Sequence, residues 1–299
     1  MLPAGYVHLR YGRFDVAQVN PPLSRMLCAL PLLLYDIDEG WSSFQNRADL
    51  RLEYEYGPDF VRRNSASLQR MLFACRSVVI PFSVLGAVMV ALIARNLYGG
   101  RTALAALVVW CCSPMVLGHA ATTNHDVPGA ALLAAAFLAL LVFRDQPSWL
   151  TGVLLGLVSG LALLTRTTCA PVVSLWLVLH TLTPLPTVPA THWLRRLGQS
   201  IGIAGLAVFV LNAGYGFSGT LTKLGDYTFF SAALSDPPDN APGGNRLHGT
   251  LWADLLVPLP KDYVQGLDLQ QLDFESPPFE SYLLGEWRPR GWWYYYLVG

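Results

Sequence analysis

Residues 71–97 read MLFACRSVVIPFSVLGAVMVALIARNL, and this stretch decides the fold. A bilayer core about 30 Å thick is crossed by about 20 mostly apolar helical residues, and this run is long enough and free of acids. Working outward, the same texture recurs at about Thr102–Leu117, Val127–Phe143, Leu150–Leu164, Ala170–Leu185 (short and Pro-bounded) and Leu197–Ala213. From Met71 to Gly214 the only acids are Asp126 and Asp145. A water-soluble helical domain of that length needs a polar outer face on each helix, with many more acids. An earlier apolar run, Pro22–Leu34, is interrupted by Ser24 and Arg25 and reads as interfacial or re-entrant.

The composition of the whole chain agrees. Of 299 residues, 53% are hydrophobic and 13% charged, against about 25% charged in soluble domains. The formal net charge is zero, so nothing points to a nucleic-acid partner. The five cysteines, Cys28, Cys75, Cys111, Cys112 and Cys169, lie in apolar surroundings without paired spacing and read as small buried hydrophobes. The opening residues lack a signal peptide's charged and apolar regions, and both ends read as truncated.

The expected fold is an all-α polytopic membrane protein with six to seven transmembrane helices and large external loops. Its parts are 1–66, an external loop with an interfacial helix; 67–214, the membrane domain; 215–290, a second external loop; and 291–299, the start of a further span. The aromatic cluster Trp292-Trp293-Tyr294-Tyr295-Tyr296 suits a bilayer edge. Short loops with Arg stay cytoplasmic. Arg95 and Arg101, Arg144, and Arg195 and Arg196 fall on one side if the spans alternate. The other side then carries 119–126, the Arg166 region and both long loops.

Four segments can carry chemistry. Asn20-Pro21-Pro22-Leu23 starts a helix at a membrane surface, which is also its plainest reading. His119 to Asp126 is a polar loop between two apolar runs. Asp126 there is either a helix N-cap or a carboxylate positioning an acceptor or cation, with His119 and His125 assisting. Their spacing is no recognised zinc pattern, and no metal site is expected. Arg166, in Leu164-Thr165-Arg166-Thr167-Thr168, either snorkels to headgroups or binds phosphate, for which a guanidinium has matching bidentate geometry. The hydroxyls of Thr165, Thr167 and Thr168 suit the same task. Glu286, in Ser281-Tyr282-Leu283-Leu284-Gly285-Glu286-Trp287, is of a sugar-contacting type that also populates membrane interfaces.

Taken in order, these segments resemble the GT-C superfamily of membrane glycosyltransferases, in the branch of protein O-mannosyltransferases and aminoarabinose transferases with its bacterial relatives. Ala4-Gly5-Tyr6, Gly12-Arg13-Phe14-Asp15 and Asn20-Pro21-Pro22-Leu23 resemble the first external loop. Leu97-Tyr98-Gly99-Gly100-Arg101 is similar to the following cytoplasmic turn. His119–Asp126 resembles the second external loop, and Leu164-Thr165-Arg166 a Leu-Thr-Lys element with Arg for Lys. Ser281 to Tyr296 looks like the segment before the next span.

The resemblance implies a lipid-linked sugar donor among membrane lipids and an unspecified acceptor. It implies a multi-pass protein of a bacterial plasma membrane with its active face outward. Asn20, His119, Asp126, Arg166 and Glu286 are the implied substrate-binding residues. The catalytic acidic pair of the family falls upstream of Met1, so activity of this chain is in question. No cofactor is specified. Two rivals stand beside the enzyme: a non-catalytic or degenerate member, and a secondary transporter. Against the transporter, the spans show almost no buried charge and no internal repeat.

Overall fold

A computed structural model describes residues 1–40, 51–183, 193–236, 243–276, 280–289 and 291–298. The end of the expected fifth span at 184–185 and residues 237–242, within the expected loop 215–290, lie outside them.

The apolar runs are helices. α4 (Leu68–Ser77) and α5 (Ile80–Tyr98) continue as one apolar path, Leu68–Tyr98. Pro81 sits in the first turn of α5, where a missing N–H costs nothing. The path ends at Gly99, whose φ of 90° is open to glycine but strained for other residues. α6 (Gly100–Cys112) and α7 (Pro114–Ala120) follow, bent by 56°. The break has two causes. Ser113 turns extended and its hydroxyl accepts the Val116 N–H, and Pro114 has no N–H to continue the ladder. α8 (Asp126–Asp145), α9 (Trp149–Leu163), α10 (Cys169–Leu182) and α11 (Trp193–Gly214) complete the set. α9 starts at a reciprocal cap between Ser148 and Thr151.

Among the described residues, three helical paths are long and apolar enough to cross a membrane: Leu68–Tyr98, Asp126–Asp145 and Trp193–Gly214. The bent pair α6–α7 would make four. The apolar helices Leu23–Leu34, Trp149–Leu163 and Cys169–Leu182 are shorter. A helix of 15 residues, as α9 is, rises only about 22 Å against a core of about 30 Å. The expectation of six to seven spans thus meets three or four helices of sufficient length.

Packing between the apolar helices rests on small residues. A Cβ on Gly160 of α9 would lie 2.5 Å from the Val210 Cβ of α11, and one on Gly156 would lie 2.9 Å from Leu206. Glycine therefore lets these two backbones approach closely. Gly86 of α5 sits under the Trp110 ring of α6, whose indole N–H donates to Ser83 O at 3.0 Å. No residue of α6 is buried. Cys111 and Cys112 are accordingly exposed, against the expectation of buried thiols, while Cys28, Cys75 and Cys169 are buried.

A polar-capped assembly sits at one end of these helices. α1 (Leu2–Tyr11), α2 (Leu23–Ala29, extended by a 3-10 turn to Leu34), α3 (Leu52–Arg63) and α4 share a core around Val7, Val16, Leu32, Tyr56 and Met71. α12 (Lys261–Glu275) lies across the Ala17–Val19 turn. A Cβ on its Gly266 would come within 2.1 Å of Gln18 O. A second apolar cluster, with Phe14, Leu132, Leu163, Leu211, Tyr215 and Tyr263, joins this assembly to α8, α9 and α11. β1 (Ser281–Leu283) and β2 (Glu286–Arg288) form an antiparallel hairpin, and α13 (Tyr295–Val298) is a short final helix.

Candidate functional site

The site grows from the start of α8. Asp126 is the first helical residue and His125 occupies the cap position, so the expectation of Asp126 as N-cap is corrected. The reason is local: the Asn124 side-chain oxygen accepts the Asp126 N–H at 3.1 Å. That bond takes one free N–H of the helix start, while the Asp126 carboxylate has other partners. One oxygen pairs with the Arg166 guanidinium and the other lies 3.0 Å from His119 Nδ1. His119 Nδ1 also lies 2.7 Å from Asn124 Nδ2. A bare Nδ1 accepts from Asn124 and a protonated one donates to Asp126, so one proton chooses between them.

Arg166 follows α9, in the turn before α10. Gly129 of α8 makes room for it, since a Cβ there would meet Arg166 Cδ at 3.1 Å. One guanidinium nitrogen is committed to Asp126, and Nε is buried without a partner among the described residues. A buried unmade donor costs about 1–3 kcal/mol, so an anion entering here gains by satisfying it.

The neighbouring hydroxyls do other work. Thr165 is buried and donates to Ala162 O at 2.6 Å, the usual back-bond of a threonine at a helix end. Thr167 donates to Gln270 of α12 at 2.9 Å. Both hydroxyls thus already have acceptors within the fold.

Asn20 reaches the site through the backbone. Leu23 N–H donates to Leu164 O at 3.0 Å, which fastens the Asn20-Pro21-Pro22 turn beside Arg166. Arg25, which the sequence showed only as an interruption of an apolar run, is buried and donates to Ala17 O and Asn20 O. Ala17 has a φ of 57°, a left-handed conformation costing roughly 1–2 kcal/mol for a non-glycine residue. Arg25 holds that turn in place. Among the described residues it has no acidic partner within salt-bridge distance.

His125 is drawn into the same region. Burial pushes its pKa down to about 4; Asp126 acts against the shift, while Arg166 and Arg25 add to it. On the far side of the Ala17–Val19 turn, Gln18 Nε2 donates to Asp262 Oδ1 of α12 at 2.7 Å. Burial raises the Asp262 carboxyl, the Gln18 bond opposes this, and Asp15 adds to the rise. An open polar cavity of about 330 Å³ lies there, lined by Arg13, Asp15, Ser218 and Asp262 among others.

The structure thus brings together His119, Asp126 and Arg166, with the Asn20 turn tied nearby only through the Leu23–Leu164 backbone bond. Glu286 does not join them: it is exposed on β2 and pairs with Arg288 of the same strand. Sequence reasoning missed Arg25 and Gln270. A lone arginine inside Pro22–Leu34 was the available signal for the first, and nothing local marks the second.

Searches of curated proteins and of solved structures return no match. Residues 61–213, just over half of the chain, match the model of the dolichyl-phosphate-mannose-protein mannosyltransferase family. The match contains His119, Asp126 and Arg166 and leaves Asn20 and Glu286 outside. On the strength of that match, the chain belongs to this family of GT-C glycosyltransferases.

Proposed function

We propose that the protein moves a sugar from a polyprenyl-phosphate carrier to an acceptor hydroxyl at the outer face of a bacterial plasma membrane. The observation that carries this reading is Arg166, a guanidinium with an unsatisfied buried donor, set beside Asp126 and the Asn20-Pro21-Pro22 turn at one rim of an apolar bundle. A lipid phosphate arriving from the bilayer would meet Arg166 at that rim. As the sugar leaves, negative charge grows on the phosphate, and a fixed guanidinium in a partly dry site stabilises it. Asp126 keeps the guanidinium in place before the donor binds, and Asn20 shapes the floor of the site. On this reading the general base is the acidic pair that the family carries ahead of its Ala-Gly-Tyr segment. In the same proposal the shorter helices α9 and α10 also span, with local thinning of the bilayer, and α13 opens a further span.

The test is transfer from labelled polyprenyl-phosphate sugar in vesicles containing the complete protein. Arg166→Ala is expected to abolish transfer while insertion and abundance hold. Transfer at the unaltered rate would overturn the role. The closed Arg166–Asp126 pair favours one second reading, a non-catalytic member that keeps the rim intact. That reading expects donor-lipid retention without turnover in the complete protein.

A further inference from the structure

The opposite end of the bundle holds a second feature. Along their facing glycines, α9 and α11 touch closely at Gly156 and Gly160, where Leu206 and Val210 fill the space. Toward the start of α11 the helices part. A Cβ on Gly202 would meet nothing within 4 Å. The resulting cleft has a volume of about 390 Å³ and is open to the outside. Its walls are apolar at Gly152, Val153, Ile203 and Leu206, and its mouth carries Arg195, Gln199 and Trp149. Arg195 is exposed and, among the described residues, has no acidic partner. Trp149 is 79% exposed at the same mouth, as tryptophan is at headgroup depth.

The charge at this end is one-sided. Arg144 and Arg196 both bond Thr183, at 2.8 and 3.0 Å, which fixes the ends of α8, α10 and α11 together. With Arg95, Arg101 and Arg195, the connections on this side carry five arginines and a single acid, Asp145. A greasy slot that opens into the bilayer beneath an unpaired guanidinium is complementary to one kind of occupant. We propose that the α9–α11 cleft holds an anionic phospholipid of the leaflet opposite the Asp126–Arg166 site. Its phosphate rests on Arg195 and one acyl chain lies along Gly152, Gly202 and Leu206. Basic pockets between membrane helices bind anionic headgroups in this way.

The experiment is lipid titration of the full chain in detergent, read by native mass spectrometry. The probes are phosphatidylglycerol, phosphatidylcholine of the same acyl chains, and soluble glycerol phosphate. One arginine near the surface contributes about 1 kcal/mol toward an anionic lipid, which is about a fivefold preference for phosphatidylglycerol. Arg195→Gln is expected to erase the preference and Arg195→Lys to keep it. Gly202→Leu, which fills the slot, is expected to weaken both lipids. Unchanged preference in Arg195→Gln overturns the site. Displacement of the lipid by glycerol phosphate at equal concentration overturns the assignment to a lipid, since the chain would then contribute nothing. Retention is read without sugar transfer, so the outcome is independent of the proposed catalysis.

Discussion

At the scale of single residues, two histidines are held neutral inside the assembly at one end of the bundle. Burial takes His125 down to about 4 and, with Arg25 adding to it, His8 to about 3, against an ordinary 6.5. An unfolded imidazole takes its proton near 6.5 while the folded one refuses it until about 4. Between those values the unfolded chain binds more protons, so stability is fully present above pH 6.5 and falls as pH drops toward 4. The thermal unfolding midpoint in detergent is expected to decline from pH 7 to 4.5, and less steeply in His125→Gln. Equal slopes in both proteins would show that His125 is protonated in the fold. At this scale the sequence marked Asp126 and Arg166 by their isolation among apolar residues. It could not show that they pair, because forty positions separate them and only the packing of α8 on α9 brings them together. Glu286 was marked by residue type and by the resemblance of its segment, and types that contact sugars also line bilayer edges. Its place on a self-paired hairpin shows how little type carries without position.

At the scale of elements, helix existence was legible and helix length was less so. The expected Val127–Phe143 and Leu197–Ala213 lie inside the observed Asp126–Asp145 and Trp193–Gly214. Apolar content alone sets such runs, because a lipid-facing helix has no polar face to disguise it. The 56° bend inside the expected Thr102–Leu117 came from Ser113 and Pro114, whose local chemistry outweighs the surrounding hydropathy. The α9–α11 contact depended on which glycines face a partner, and periodicity does not supply that. Its weight can be measured. Gly160→Leu puts a side chain where Val210 already sits, and overpacking of this kind costs typically 1–3 kcal/mol. A lowered unfolding midpoint in detergent is expected, with Gly205→Ala as a control, since nothing lies within 4 Å of a Cβ there. Equal midpoints would place the helices farther apart than described.

At the scale of the whole molecule, the described residues divide into an apolar bundle and an assembly at one of its rims. α12 is tied to that assembly through Gln18–Asp262 and Thr167–Gln270. The donor-binding candidates and α12 therefore share one neighbourhood, and a substitution on α12 can reach Arg166 through Thr167. The bare outer surface of α6 has a practical consequence. Three of the five thiols are shut inside the fold, and the two on that helix, Cys111 and Cys112, are accessible. In detergent a small alkylating reagent is expected to add two equivalents to the folded chain and five after denaturation, counted by intact mass. The protein thus comes with a built-in attachment point for a spin or fluorescent label, which would report the surroundings of that helix without engineering a single cysteine.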